Sequence, residues 1–430
     1  MTLQKLKMDP KLKVSVEISR EWEGKKVADE LVGKINAKVL NPKFVLIFTT
    51  IHYKEEFKLI LSGMKEAFPD APLIGGTVAG FITQEGCYTR GVTVFALDYP
   101  NMDVAVGVGH NTKRNPKKAA RDCAEMILEK LKDSKYENKF LVNLISAPII
   151  PKLPLIGKVN NIKSKTLGIL VSYIGMPLVS YMGSGIAKEV DILDQLAVSM
   201  PEFYIIGGSS VDDGKMLSNY QFIENSISTN SVVAIGCTID RSISLKKTIA
   251  IHETNEKFKI TNTTFDDRIV TKIENKPAKE YFFKKVLGLS EEQFKNLGPF
   301  YYKTSDYLPI TFEENRERVL GVGCFFWENI LLSHKSGGKH AILCSVTGKE
   351  VIDAIKSVFT APDAKLPFLL AFSSAIFVFI LGNKIFDIKK ILDQEGEDMP
   401  YLMLQPIIEN VRVPNQNPAV RAYSFNALSF

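Results

Sequence analysis

The sequence predicts an α/β protein in two parts: an internally repeated domain of mixed sheets over residues 13–253 and a packed α+β domain over residues 254–430. Three observations lead to that class. Short runs of branched residues, bounded by polar or turn residues, alternate with segments of helical spacing. Two segments read as copies of one another, Pro72-Leu-Ile-Gly-Gly-Thr-Val-Ala-Gly80 and Tyr204-Ile-Ile-Gly-Gly-Ser-Ser-Val-Asp-Asp213. Each reads as an apolar strand that turns at paired glycines and then offers a small hydroxyl. After residue 253 the texture changes, and alternating strands dominate 318–346.

The elements follow in order. A strand at 14–18 leads into a helix from about Trp22 to Ala37, and 44–48 is a strongly apolar strand. Residues 53–67 have helical spacing, with Phe57, Ile60, Leu61 and Met64 on one face. The first diglycine and strands at 92–97 and 104–110 come next. Asn115 and Pro116 open a helix to Leu131, because Asn suits the cap and Pro the first turn. A strand at 140–145 follows. Pro148, Pro151 and Pro154 preclude a regular element and mark the joint between the two repeat halves. A helix near 185–199 precedes the second diglycine, and strands at 232–239 and 248–252 close the repeat. Residues 271–277 read as a hairpin entering a helix at 278–287.

Composition narrows the functional classes. Of 430 residues, 45% are hydrophobic and 24% charged, which is ordinary for a globular protein with a substantial core. A net charge of +6 over this length is weak, and no zinc-finger spacing or basic helix is present, so nucleic acid is not an expected partner. The cysteines are scattered, with no Cys-x-x-Cys, which argues against a disulfide framework and for a reducing, cytoplasmic setting. The N-terminus has no apolar core of a secretory signal. The uncharged run 368–382 is shorter than the roughly 20 residues a spanning helix needs and reads as buried core.

The diglycines are the first candidate site. Backbone amides near Gly75, Gly76, Gly207 and Gly208, with Thr77, Ser209, Asp212 and Asp213, have the donors and carboxylates that a small amino-acid-like ligand needs. The plainer alternative is tight turning, with the aspartates in a solvated loop. His110 and His252 both end strands and offer imidazoles to a haem or metal across a pseudo-twofold axis, or simply lie at the surface. No Asp/Glu/His cluster has metal-ligand spacing. Cys87, with His110, is a candidate nucleophile only if the two lie within hydrogen-bond reach. The aromatic run 299–302, near Tyr307, reads as packing.

The order of these motifs resembles the FIST family. The N-terminal features are Phe44 to Phe48, Ile74-Gly-Gly-Thr-Val-Ala-Gly80 and Ile206-Gly-Gly-Ser-Ser-Val-Asp212; the C-terminal ones are Ile273 to Ala278 with Tyr281, Tyr307-Leu-Pro309, Arg318-Val-Leu and Leu369 to Ser374. The resemblance adds Ser374 and Glu409 to the ligand-site residues. It also marks departures: Ser374 stands where the family has Cys, no Arg follows, Ile408-Glu409 replaces a Gly-Glu pair, and Ser424-Phe-Asn426 replaces a His-Asn pair. It implies a small-molecule sensor without catalytic residues, signalling to a separate kinase or cyclase, with no obligatory cofactor. Haem-based gas sensing, a Cys-dependent hydrolase and a protein-binding scaffold with a degenerate pocket are the alternatives.

Overall fold

One strand plan recurs three times in the computed structural model, which describes residues 11–149, 178, 181, 183–296, 300–301, 308–326, 328–359, 366–396 and 399–430. The first run is β1 (Lys13–Ser19), α1 (Gly24–Asn36), β2 (Phe44–Thr49), α2 (Phe57–Ala67), β3 (Leu73–Thr77), a hairpin of β4 (Phe81–Thr83) and β5 (Gly86–Tyr88), and β6 (Val92–Asp98). The second is β7 (Met102–His110), α3 (Pro116–Leu131), β8 (Asn138–Ser146), α4 (Glu189–Ser199), β9 (Phe203–Ser210), a hairpin of β10 (Gln221–Ile223) and β11 (Ser226–Ser228), and β12 (Ser231–Ile239). The third starts at β13 (Ser244–Ile249) and is then interrupted. The interruption holds β14 (His252–Thr264), β15 (Ile269–Ile273), β16 (Lys276–Pro277), α5 (Ala278–Tyr281), α6 (Glu291–Asn296), β17 (Phe300–Tyr301), β18 (Leu308–Phe312), β19 (Leu320–Phe326), β20 (Asn329–Leu332) and β21 (His340–Ser345). The run resumes with α7 (Gly348–Lys356), β22 (Leu369–Ser373), α8 (Ile376–Leu381), α9 (Ile385–Gly396), β23 (Tyr401–Leu404), a hairpin of β24 (Glu409–Arg412) and β25 (Ala419–Arg421), and β26 (Ser424–Ser429).

The sheets are β1-β6-β2-β3-β10-β11, β7-β12-β8-β9-β24-β25 and β13-β26-β22-β23-β4-β5. Each holds one parallel pair, β2–β3, β8–β9 or β22–β23. Each run gives its hairpin to another sheet: the first run's to the third sheet, the second's to the first, the third's to the second. Segments 13–253 and 254–430 therefore share two sheets. The interruption forms a fourth sheet in which β14, β21, β18, β19, β20 and β15 return to β14 as a closed antiparallel barrel. Fully buried Arg268 ties that barrel to the second run, bonding the Ala187 carbonyl at 3.0 Å.

The inner faces of the three sheets meet in one apolar core that includes Phe48, Phe95, Phe140, Leu144, Ile206, Phe368, Phe372, Leu404 and Phe430. Rings bridge the sheets: Phe48 meets Phe372 edge-on at 6.5 Å, and Phe140 meets Phe430 at 5.2 Å. Burying each such side chain stabilises by roughly 1.5–3 kcal/mol. Helices cover the outer faces. On α2 the buried stripe is Phe57, Ile60, Leu61 and Met64, as the spacing predicts. The apolar run near 370 divides into strand β22 and helix α8, and no helix among the described residues is long and apolar enough to cross a membrane.

Several local expectations change. Both diglycines lie inside strands rather than at turns. A Cβ on Gly75 would stand 1.7 Å from the Ile47 carbonyl oxygen, and one on Gly207 would stand 2.1 Å from that of Asn143. Glycine is needed for close strand approach, not for a bend. The expected strand 248–252 splits between β13 and the first barrel strand, so His252 enters the barrel while His110 ends β7 in the second sheet; both are exposed. The expected helix at 278–287 is one α turn followed by a π-helical turn, Phe282–Val286. The proline joint at 148–154 lies outside the described residues from 150 onward, as does much of the aromatic run near 299–307.

Candidate functional site: a buried polar corner at the strand ends

Strand register makes positions in the three runs correspond. Phe48 pairs with Gly76, Leu144 with Gly208 and Phe372 with Leu404, and opposite these stand Gln221, Glu409 and Phe81 on the exchanged hairpins. Two residues beyond Phe48, Leu144 and Phe372 come Thr50, Ser146 and Ser374. Each faces the start of its run's last strand, at Gly91, Ser231 or Ser424. The carboxyl end of the three-sheet core therefore has three corresponding corners. Phe81 against Gly91 is apolar. Gln221 with Ser231, and Glu409 with Ser424, are polar.

The two polar corners share a hydrogen-bond pattern. Ser231 donates from its backbone N–H (3.3 Å) and hydroxyl (2.8 Å) to Gln221 Oε1. Ser424 donates from its N–H (3.2 Å) and hydroxyl (2.8 Å) to Glu409 Oε2. They differ in what completes them. In the first, Asn219 Oδ1 accepts from Gln221 Nε2 and from the Ser146 hydroxyl, both at 2.9 Å, while Asn219 Nδ2 donates to the Ala147 carbonyl at 3.1 Å. In the second, the residue corresponding to Asn219 is Ile407, which has no polar side-chain atom. There Glu409 Oε1 and Asn426 Oδ1 are buried without a hydrogen-bond partner among the described residues, and the Pro406 ring packs on Gly208. The Ser374 hydroxyl lies beside the Glu409 carboxyl. Asn426 Nδ2 donates to Ser424 Oγ at 3.1 Å.

Burial pushes the Glu409 carboxyl well above the usual carboxylate range, with the hydroxyl and amide of Ser424 pulling the other way. Buried polar groups are almost always paired, so the two unmet oxygens of Glu409 and Asn426 make this corner the candidate place for a guest or for water.

The sequence candidates distribute unevenly around this corner. Gly208, Ser374 and Glu409 meet there, and Gly207 lies one residue along the same strand. Ser209 points to the opposite face, donating to Glu189 Oε1 at 3.1 Å. Gly75 and Gly76 lie on β3 beside the Gln221 corner, where a Cβ on Gly76 would approach Ser210 Oγ to 3.2 Å. Thr77 accepts from the Tyr220 N–H at 3.1 Å. Asp212 closes its own loop, accepting from the N–H groups of Met216, Leu217 and Ser218. Asp213 pairs with Lys215 at the surface. Burial pushes the Cys87 thiol up to about 11, the reverse of what a nucleophile needs.

Sequence reasoning missed Asn219, Gln221, Ser231 and Lys113. Buried Lys113 donates to the carbonyls of Ser146 (2.8 Å) and Ala147 (2.6 Å), and burial lowers its amine to about 7. The available signal was polar residues inside strand-like runs, Gln221 and Asn426 among them. Ser424 and Asn426 enter the sequence reading only as departures from a family pattern.

The framework is that of an α/β protein whose polar groups gather at the carboxyl ends of parallel strands, where such sheets take their ligands. Residues 43–276, more than half of the chain, match the FIST N domain, and the protein belongs to the FIST family. That membership implies a small-ligand-sensing signalling domain. No curated protein matches the sequence. Among solved structures the chain is similar to the crystal structure of cyanuric acid hydrolase from A. caulinodans, at 7% identity and a TM-score of 0.36, covering 97% of this chain and 99% of that one.

Proposed function

We propose that the protein is a non-catalytic sensor that binds a small, amino-acid-like polar ligand in the Glu409 corner and signals by contact with a separate protein, such as a kinase or cyclase. The observation that carries this reading is the missing counterpart of the Asn219 amide: one corner is completed by that side chain, while the corresponding corner leaves Glu409 Oε1 and Asn426 Oδ1 without a partner. Every one of these residues is fully buried, so a ligand enters only if the corner opens. Occupancy is thereby coupled to a conformational equilibrium, through differential affinity for closed and open states. The raised Cys87 thiol favours this reading over a cysteine hydrolase. The reading requires no cofactor.

A thermal-shift screen with amino acids and related metabolites tests it. A ligand at 100 times its dissociation constant stabilises by about 2.7 kcal/mol. The response is expected in the wild type and lost in Ile407→Asn, which supplies the missing amide from the chain itself. A screen without a responder, or a responder equally effective on Ile407→Asn, would overturn it.

A further inference from the structure

We infer that the barrel β14–β21 swings as one body on the paired strand ends His252 and Ser345, and that its release frees segment 420–424, which caps the Glu409 corner. The inference rests on the sensor reading above for what such an opening admits, and it names how that site is regulated. The geometry of a hinge is present. The chain enters the barrel from β13 through Ala250 and Ile251 and leaves it for α7 through Val346 and Thr347. His252 pairs with Ser345, so both crossings leave from one place. The barrel also carries an apolar core of its own, including Phe258, Phe282, Ile310 and Phe312. Among the described residues, Val319 alone of the barrel joins an apolar cluster of the three sheets.

Polar contacts hold the barrel down in two places. In the first, His334 Nε2 donates to the Val420 carbonyl at 3.1 Å, Arg421 donates to the Glu317 carbonyl at 3.2 Å and pairs with its carboxylate, and the Ala422 N–H donates to the Val319 carbonyl at 3.0 Å. Two residues further on, Ser424 donates twice to Glu409. One short stretch of chain thus holds the barrel at one end and Glu409 at the other. In the second place the turn between β14 and β15 meets the start of α4. Asp266 pairs with Lys188 at 3.0 Å, Lys188 lies over the Phe265 ring, and Arg268 donates to the Ala187 carbonyl. Phe265, Asp266 and Asp267 have φ of 52°, 56° and 58°. Three successive side-chain-bearing residues in the left-handed region persist only where the surroundings impose it, as at switch segments. Charges released from such a junction regain their water, so the pairs hold it with little net stability. Polar junctions between bodies with separate cores permit relative motion.

Hydrogen exchange of the full chain tests this without a ligand, because the Ser424 amide reports the Glu409 cap and the Ala422 amide reports the barrel contact. Asp266 and Glu317 are partly exposed, so Asp266→Asn with Glu317→Gln cuts both contacts from the surface. In that double variant the Ala422 and Ser424 amides are expected to exchange about tenfold faster. Amides of β18 and β21 inside the barrel, and of β2 and β8 in the sheets, are expected to keep their wild-type rates. Glu313→Gln, which removes a barrel surface pair with Lys257 away from the junction, is expected to change none of them. Raising salt from about 0.05 M to about 1 M on the wild type is expected to reproduce the pattern, since exposed pairs are screened. The inference fails if the Ser424 amide keeps its rate while Ala422 quickens, or if neither changes. It fails equally if the amides of β18 and β21 quicken alongside, for the barrel would then melt rather than swing. A metabolite screen without a responder would remove the sensor reading and leave the exchange result to decide the hinge.

Discussion

The Gln221 and Glu409 corners are built on the same backbone and filled differently. Both face the second glycine of a diglycine strand, and both are capped by a serine that donates twice to one side-chain oxygen. One is then completed by Asn219; in the other the corresponding residue is Ile407, which packs against the helix-covered apolar cluster, and Glu409 Oε1 keeps no partner. The diglycine motif itself does not distinguish the two corners. What distinguishes them is whether the linker ahead of the exchanged hairpin carries a polar plug.

The largest effects test the shared backbone. Gly75→Ala and Gly207→Ala each place a methyl within 1.7 Å and 2.1 Å of a neighbouring carbonyl oxygen, so the parallel pair must separate. Each is expected to cost about 3 kcal/mol or more, measured by urea unfolding or by loss of soluble protein. A loss under about 1 kcal/mol in either would show that the two strands are not equally constrained.

Exchanging the plugs comes next. Asn219→Ala strips the acceptor from Ser146 and Gln221 and is expected to destabilise by about 1–3 kcal/mol. Ile407→Asn is expected to cost less than Asn219→Ala, because an added amide partner for Glu409 offsets the apolar contacts that half-buried Ile407 gives up. If both changes destabilise alike, the two corners do not correspond as described.

The pH dependence sharpens the contrast between Gln and Glu. Glu409 is raised in the folded chain, so between the ordinary value of 4.5 and its folded value the native state holds a proton that the unfolded chain has lost. Stability from this group is intact below that window and falls as pH rises through it, by about 1.4 kcal/mol per unit. Glu409→Gln is therefore expected to be more stable than the wild type at pH 8 and equal to it near pH 4. The difference between the two proteins isolates Glu409 from Lys113. The lowered amine of Lys113 makes stability rise with pH above about 7. A difference that does not change with pH would mean the Glu409 carboxyl is not raised.

The smallest effects concern the aspartates. Asp212→Asn weakens three loop contacts and is expected to cost about 1 kcal/mol, while Asp213→Asn loses only a surface pair and is expected within about 0.5 kcal/mol. Neither is expected to alter ligand response in the thermal-shift assay.

Much of this was legible along the chain. The stripe on α2, the Pro116 start of α3 and the branched strands follow from local spacing and propensity, and the glycines announced close backbone approach. Their supposed bend was misjudged because a turn and a tight strand contact make the same demand on sequence. Ser374 and Glu409 were named from a resemblance, and no local pattern relates them to Gln221 or Asn219. The barrel between β13 and α7 hid the third run, since its two pieces lie about a hundred residues apart.

From its residues alone, then, the chain determined an α/β class, the helices and strands of its core, and the positions where only glycine fits. Those properties depend on neighbours within a few residues, through side-chain periodicity and backbone sterics. The tertiary structure alone decided that each run surrenders its hairpin to another sheet, setting Glu409 opposite Gly208 and leaving its second oxygen without the amide that Gln221 enjoys. Pairing across two hundred residues is selected by the burial of whole sheet faces, and such a sum is written in no single stretch of sequence.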